Sequence, residues 1–315
     1  MVARPMALRK TVWISSCVLS VVLSIAGCSG PLNQTGTSQQ ATETKTLRIG
    51  AIPDQDPEKL QRLYGKLAQY LTKELKVPVV YKPVTDYAAA VTAFKVGDLD
   101  LVWFGGLTGV QAQTQVPGAD AIAQRDVDAK FRSAFIANKK SGIAPFMNNM
   151  QGLKDLKGHT FTFGSESSTS GRLMPQYFLQ KAGVNLSDFK GEVGFSKSHD
   201  ATLELVQAGT YDAGVLNQKV WESRLQDGKA DPGKVDLLYL TPTYYDYHWV
   251  IHPSVKQRFG NEFPKKVQTA FLKLSPAVPE QKEILELFTA EKFIPTQNSN
   301  YAQIEQIGRE IGKIK

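Results

Sequence analysis

Gly164-Ser165-Glu166-Ser167-Ser168-Thr169-Ser170-Gly171-Arg172-Leu173-Met174-Pro175 follows Thr160-Phe161-Thr162-Phe163, which alternates like a strand, and leads into an amphipathic run that reads as a helix from about Thr169 through Lys181. Strand, hydroxyl-rich turn and helix in that order make an anion cradle. Small residues let the backbone turn sharply, the first N–H groups of the helix have no partner within it, and its dipole presents its positive end there. Ser167, Ser168, Thr169 and Ser170 add neutral donors, so no charged side chain is needed to hold an oxyanion. Taken alone the stretch also fits an ordinary serine-rich cap, because Ser and Thr are preferred at helix starts.

Toward the N-terminus the same alternation recurs. Leu47 to Pro53 reads as a strand, and a helix after Asp54-Gln55-Asp56-Pro57 carries Leu60, Leu63, Leu67, Leu71 and Leu75 at helical spacing. Val77 to Lys82 predicts a second strand, Asp86 to Lys95 a helix, Leu99 to Phe104 a third strand, and Gly105-Gly106-Leu107-Thr108 opens another helix. This order predicts an α/β sheet with parallel strands, in which ligands lie beyond the carboxyl ends of the strands. Tyr87, Phe104, Gly106 and Thr108 sit at those junctions, where core packing or a tight turn accounts for them equally well.

Toward the C-terminus, Ala121 to Asn138 reads as a crossing into a second lobe. There Gly191 to Ser196 and Tyr211 to Leu216 predict strands around a helix capped by Ser198-His199-Asp200. Val235 to Leu240 and Tyr247 to Ile251 predict the return, and 253–274, 281–290 and 300–314 read as helices that pack back on the first lobe. The expected organisation is residues 46–125 with 240–315 as lobe 1 and 126–239 as lobe 2.

The beginning of the chain has a separate character. Arg4, Arg9 and Lys10 precede an apolar run from Val12 to Ala26, shorter than the roughly 20 residues of a spanning helix, and residues 1–27 read as a signal peptide. Leu23-Ser24-Ile25-Ala26-Gly27-Cys28 resembles a bacterial lipobox, which makes Cys28 the expected site of lipidation and attaches the protein to a membrane in the cell envelope. Cleavage before Cys28 lowers the formal charge from +7 to +4 and leaves no other thiol, since Cys17 is removed. Residues 28–45 are too polar to bury much surface and read as a tether. With no basic run or basic-aromatic stripe, nucleic acid is not an expected partner.

Enzyme chemistry finds little support. Ser168 or Ser170, His199 and Asp200 are residue types of a hydrolase triad, but His199 and Asp200 are adjacent and no G-x-S-x-G elbow is present. His248 and His252 lack a third ligand at zinc spacing, and neither a P-loop nor a dinucleotide fingerprint occurs, so no metal and no cofactor is expected. A hydrolase of small phospho-compounds stays the alternative. A two-lobed module that closes on a small anion accounts for more of the chain.

Several segments together resemble the phosphonate-binding family of substrate-binding lipoproteins of ABC importers: TLRIGAIPDQDPEKL (46–60), TDYAAAV (85–91), GDLDLVWFGGLTGV (97–110), FRSAFIAN (131–138), SSTSG (167–171) with RLMPQYFL, SHDATLELVQAG (198–209) and YDAGVLN (211–217). The resemblance implies a type II periplasmic binding protein fold, two α/β lobes joined by two crossing strands with a ligand cleft between them. It implies a small phosphonate or phosphite ligand gripped by Ser168, Thr169 and Ser170, with a permease and an ATPase as partners. Tyr87 and Phe104 fall on the family's aromatic positions, where Phe104 replaces a frequent tyrosine and exchanges a hydroxyl contact for packing. For the rest of the ligand the resemblance offers Asp54, Gln55, Gly106, Thr108, His199 and Asn217. The DQDP turn, FGGLTG and the SHDA histidine also resemble a subgroup that takes selenate or other inorganic oxyanions.

Overall fold

A computed structural model describes residues 45–315. The expected signal peptide, Cys28 and nearly all of the tether lie outside the described residues. In chain order the elements are β1 (Leu47–Ala51), α1 (Pro57–Leu75), β2 (Val79–Tyr81), α2 (Tyr87–Lys95), β3 (Leu101–Phe104), α3 (Gly106–Gln115), β4 (Asp120–Arg125), β5 (Ser133–Asn138), β6 (Phe161–Phe163), α4 (Met174–Lys181) and β7 (Gly194–Phe195). They continue with α5 (His199–Gln207), β8 (Ala213–Asn217), α6 (Gln218–Gln226), β9 (Val235–Leu240), β10 (His248–Ile251), α7 (Ser254–Phe259), α8 (Phe263–Leu272), α9 (Pro279–Phe288), β11 (Phe293–Pro295) and α10 (Ala302–Glu310).

Local chemistry explains the best-formed of these. Asp56 accepts from the Lys59 N–H at 2.9 Å and Pro57 opens the first turn of α1. Leu60, Leu63, Leu67 and Leu71 then bury one face against the sheet, and Lys76 ends the helix in the left-handed region (φ 58°). Asp86 and Ser198 cap α2 and α5 in the same way.

Two sheets result. The first has the order β11-β4-β10-β3-β1-β2 and the second β7-β6-β8-β5-β9. The expected parallel first sheet is corrected to a mixed one: β1, β2 and β3 run parallel, whereas β10 is antiparallel to both β3 and β4. The reversal follows from the chain path, since β10 enters the first sheet from the far end after its excursion through the second. The strand itself was expected over Tyr247 to Ile251, but its direction cannot be read from local alternation.

Three further corrections concern elements. The expected helix over 253–274 is two, broken where Gly260 takes φ 99°, a conformation that no side-chain-bearing residue adopts readily. The helix after the serine-rich turn does not begin as α: Leu173 N–H donates to the Ser168 carbonyl and Met174 N–H to that of Thr169, so the first turn is π-helical. Helix α6 and strand β11 were not expected.

The two segments that cross between the sheets are tied to each other. Phe131 and Tyr244 exchange backbone hydrogen bonds at 2.9 and 3.0 Å, and Asp246 N–H donates to the Asp128 carbonyl at 3.1 Å. Arg125 closes a two-point ion pair on Asp128 (2.8 and 2.6 Å) in a buried position, with its guanidinium 5.0 Å from the Tyr247 ring. The hinge is therefore a short paired ribbon.

Candidate functional site

The serine-rich turn and the start of α3 meet face to face. Ser168 Oγ accepts from the Gly171 N–H at 2.9 Å, which caps the π-turn, and the Tyr87 hydroxyl lies beside it. Thr169 Oγ1 reaches across and accepts from the Leu107 N–H at 2.8 Å. Glycine gives room opposite: a Cβ at Gly105 would stand 3.1 Å from Thr169 Oγ1 and 3.2 Å from Asp246 Oδ1, and one at Gly106 would stand 3.4 Å from Thr169 Cγ2, so a side chain at Gly105 would crowd both. Gly106 N–H instead donates to Asp246 Oδ1 at 2.9 Å.

Two polar atoms in this contact are buried without a well-formed hydrogen bond, Ser170 Oγ and Asp246 Oδ2, although the Ser170 hydroxyl lies near enough to the Asp246 carboxyl and to Tyr244 to act weakly on both. Leaving such atoms unpaired costs about 1–3 kcal/mol each, so they mark where a ligand has something to gain. Burial pushes the Asp246 carboxyl up to about 7; the Gly106 N–H and the nearby Thr169 and Ser170 hydroxyls pull it partly back, while Asp128 adds to the rise.

A second set of polar groups converges on Tyr247, also in the hinge. Asn217 N–H donates to His199 Nδ1 at 3.3 Å, which fixes the tautomer: Nε2 carries the proton and donates to the Tyr247 hydroxyl at 3.2 Å. Asn217 Nδ2 donates to the same hydroxyl at 3.2 Å, leaving the Tyr247 proton for Asp54 beside it. Burial lowers His199 to about 4, so the ring is neutral. Burial raises Asp54 to about 6, against the lowering effect of Tyr247 and of Arg125. The backbone joins in, as His199 N–H donates to the Asp54 carbonyl at 2.9 Å.

Of the residues singled out from sequence, Ser168, Thr169, Ser170, Tyr87, Gly106, Asp54, His199 and Asn217 belong to these two linked sets. The others spend their polar atoms elsewhere or have none. Gln55 Oε1 accepts from Lys59 Nζ at 2.7 Å, Thr108 Oγ1 donates to the Gly105 carbonyl at 3.1 Å, and Phe104 is fully buried, edge-on to Phe94. Asp200 turns away from the cleft floor, paired with Arg224 at 2.6 and 2.9 Å while accepting from the Asp56 N–H at 2.8 Å. His248 stacks on Tyr301 (3.7 Å) and His252 bonds Ser254, so neither enters the site.

Asp246 and Tyr247 escaped the sequence reading. Their signal was present in Tyr244-Tyr245-Asp246-Tyr247, a carboxylate among aromatics at the return crossing, where a purely structural segment has no use for a charge.

Comparison with known proteins identifies the family. The profile of the family described as "ABC transporter, phosphonate, periplasmic substrate-binding protein" matches residues 49–301. A probable phosphite-binding protein of an ABC transporter from Prochlorococcus marinus, PhnD1, is 48% identical over 272 residues, which cover 86% of this chain and 91% of that protein. The structure of PhnD1 in complex with methylphosphonate superposes with a TM-score of 0.84, covering 86% of this chain and 100% of the chain in that structure. The phosphonates-binding periplasmic protein of Escherichia coli is 30% identical, over 84% of this chain and 76% of that protein. A binding-protein component of a phosphonate transporter from Pseudomonas aeruginosa, 22% identical with a TM-score of 0.72 over 84% of this chain and 86% of that one, shares the fold. The fold is that of the type II periplasmic binding proteins, and the chain belongs to the phosphonate-binding family of periplasmic substrate-binding proteins, the solute-capturing components of ABC transporters, and is not an enzyme.

Proposed function

We propose that the protein captures a small tetrahedral phosphorus oxyanion, methylphosphonate or phosphite, between the serine-rich turn and the start of α3, and hands it to a permease and ATPase for import. The observation that carries this is the pair of buried atoms Ser170 Oγ and Asp246 Oδ2, neither in a well-formed hydrogen bond, one able to donate and one able to accept. An oxyanion with one protonated oxygen satisfies both at once. A fully ionised one such as sulfate or selenate has no proton to offer and requires that Asp246 hold one itself. Ser168, Thr169, Tyr87, Asp54, His199 and Asn217 complete the proposed binding set.

A thermal-shift screen with methylphosphonate, phosphite, phosphate, sulfate and selenate tests the proposal. A ligand at about 100 times its Kd adds about 2.7 kcal/mol to stability. Methylphosphonate or phosphite is expected to give the largest rise, and Ser170→Ala to remove most of it; five flat melting curves would sink the reading. The sequence supports lobes over 46–125 with 240–315 and over 126–239, and attachment to the membrane through an acylated Cys28. Two or more acyl chains are expected at the mature N-terminus, since one binds only marginally. Mass spectrometry of the membrane-extracted protein reads them directly, and an unmodified N-terminus would refute the anchor.

A further inference from the structure

The proposed cleft has a charge problem. It is to hold an anion, yet it contains two carboxylates, Asp54 and Asp246, buried to 3% and 1% exposure, and the hydroxyls, the N–H groups and the neutral His199 ring around them bring no positive charge. Three arginines are almost fully buried among the described residues: Arg125, Arg172 and Arg224. Arg125 is engaged by Asp128, and Arg224 by Asp200 and Asp227. Arg172 is different. It belongs to the π-turn that carries Thr169 and Ser170, and its Nε and Nη1 are buried without any hydrogen-bond partner.

What holds the guanidinium is aromatic: it lies 4.3 Å from the ring centroid of Phe163 and 5.3 Å from that of Phe195, the residues that end β6 and β7. The one carboxylate that acts on it is Glu166, an exposed side chain already 3.6 Å from Lys313. A buried cation without a fixed counter-ion destabilises the protein that carries it, and a fold retains one where something else needs the charge.

We propose that Arg172 is a positioning residue for charge: it supplies, through the low-dielectric body of the π-turn, the positive potential that lets a cradle of neutral donors and carboxylates accept an anion. The guanidinium does not touch the ligand. Phe163 and Phe195 shield its Nε and Nη1 from water, so its field is screened less than a surface arginine's is. Burial also draws its own pKa down to about 10, still far enough above neutrality to keep it charged. This inference rests on the oxyanion reading of the cleft.

Arg172→Met and Arg172→Lys, titrated with methylphosphonate by calorimetry and melted without ligand, test it. Arg172→Met is expected to weaken binding roughly tenfold, while Arg172→Lys stays within about threefold of wild type, since charge rather than shape is what counts. Without ligand, Arg172→Met should melt no lower than wild type, because it deletes an unpaired buried charge and keeps an apolar chain on the two rings. A residue that only packs would give the opposite: Met at least as good as Lys in binding, and any loss appearing as a lower melting temperature. Unchanged affinity in Arg172→Met overturns the inference while leaving the oxyanion reading intact. Absence of methylphosphonate binding by the wild-type protein overturns both.

Discussion

Asp246 joins the hinge to the proposed ligand site. Its Oδ1 is fixed by the Gly106 N–H, its backbone N–H is fixed by Asp128, and its Oδ2 is left over. A carboxyl that titrates near 3.8 in the unfolded chain and near 7 in the folded one binds its proton more tightly when folded. Below both values the two states are equally protonated and nothing is lost. As pH rises past 3.8 the unfolded chain releases its proton first, so folded-state stability falls progressively until about pH 7 and the deficit is constant above it. Asp246→Asn keeps the acceptor for Gly106 and removes the charge. Without ligand it should therefore be more stable than wild type at about pH 8, on the order of 2 kcal/mol, with the gain fading toward about pH 5. Denaturant titrations of both proteins at the two pH values measure this, and a gain independent of pH would show that Asp246 is not the titrating group.

At the scale of elements, what was legible in the sequence is what local chemistry enforces. Helix α1 has its cap, its proline and its leucine stripe within twenty residues, and β3 is an apolar run bounded by turns, so both were readable. The serine-rich turn was readable as a helix start, with Ser168 capping the turn that begins at Thr169, while its use as an anion cradle and the part of Tyr87 and His199 in it belong to the proposed function. The π-turn was not: an i to i+5 ladder has the composition of an α-helix and is set by Gly171 O closing on the Gly164 N–H and by the lobe that packs against it. The antiparallel entry of β10 and the short edge strand β11 depend on partners far away in sequence, at β3 and β4. Asp246 and Tyr247 were missed for the same reason, since their roles exist only once the hinge brings them against Gly106 and His199.

For the whole molecule, the contacts across the cleft set the balance between open and closed forms. The lobes meet through His199 N–H on the Asp54 carbonyl, Leu107 N–H on Thr169 Oγ1 and Asp56 N–H on Asp200 Oδ2, with Lys313 and Glu166 3.6 Å apart at the rim. The two neutral bonds are worth about 0.5–1.5 kcal/mol net each and the one to the Asp200 carboxylate about 1.5–3, too little together to hold two lobes shut against their rotational freedom by a wide margin. Ligand would add what is missing, so a smaller radius of gyration is expected on binding. Asp200 offers a way to separate closure from ligand contact, because it faces Asp56 and Arg224 rather than the Ser170 and Asp246 pair. Asp200→Ala should raise the radius of gyration of the ligand-free protein, leave that of the saturated protein unchanged, and weaken apparent affinity by roughly three- to tenfold, the fraction of closed form it removes. Small-angle scattering with and without saturating methylphosphonate reads the first two and calorimetry the third. Identical scattering from both proteins in both states would mean that the cleft is closed regardless of ligand, and the energy of capture would then have to come from the site alone.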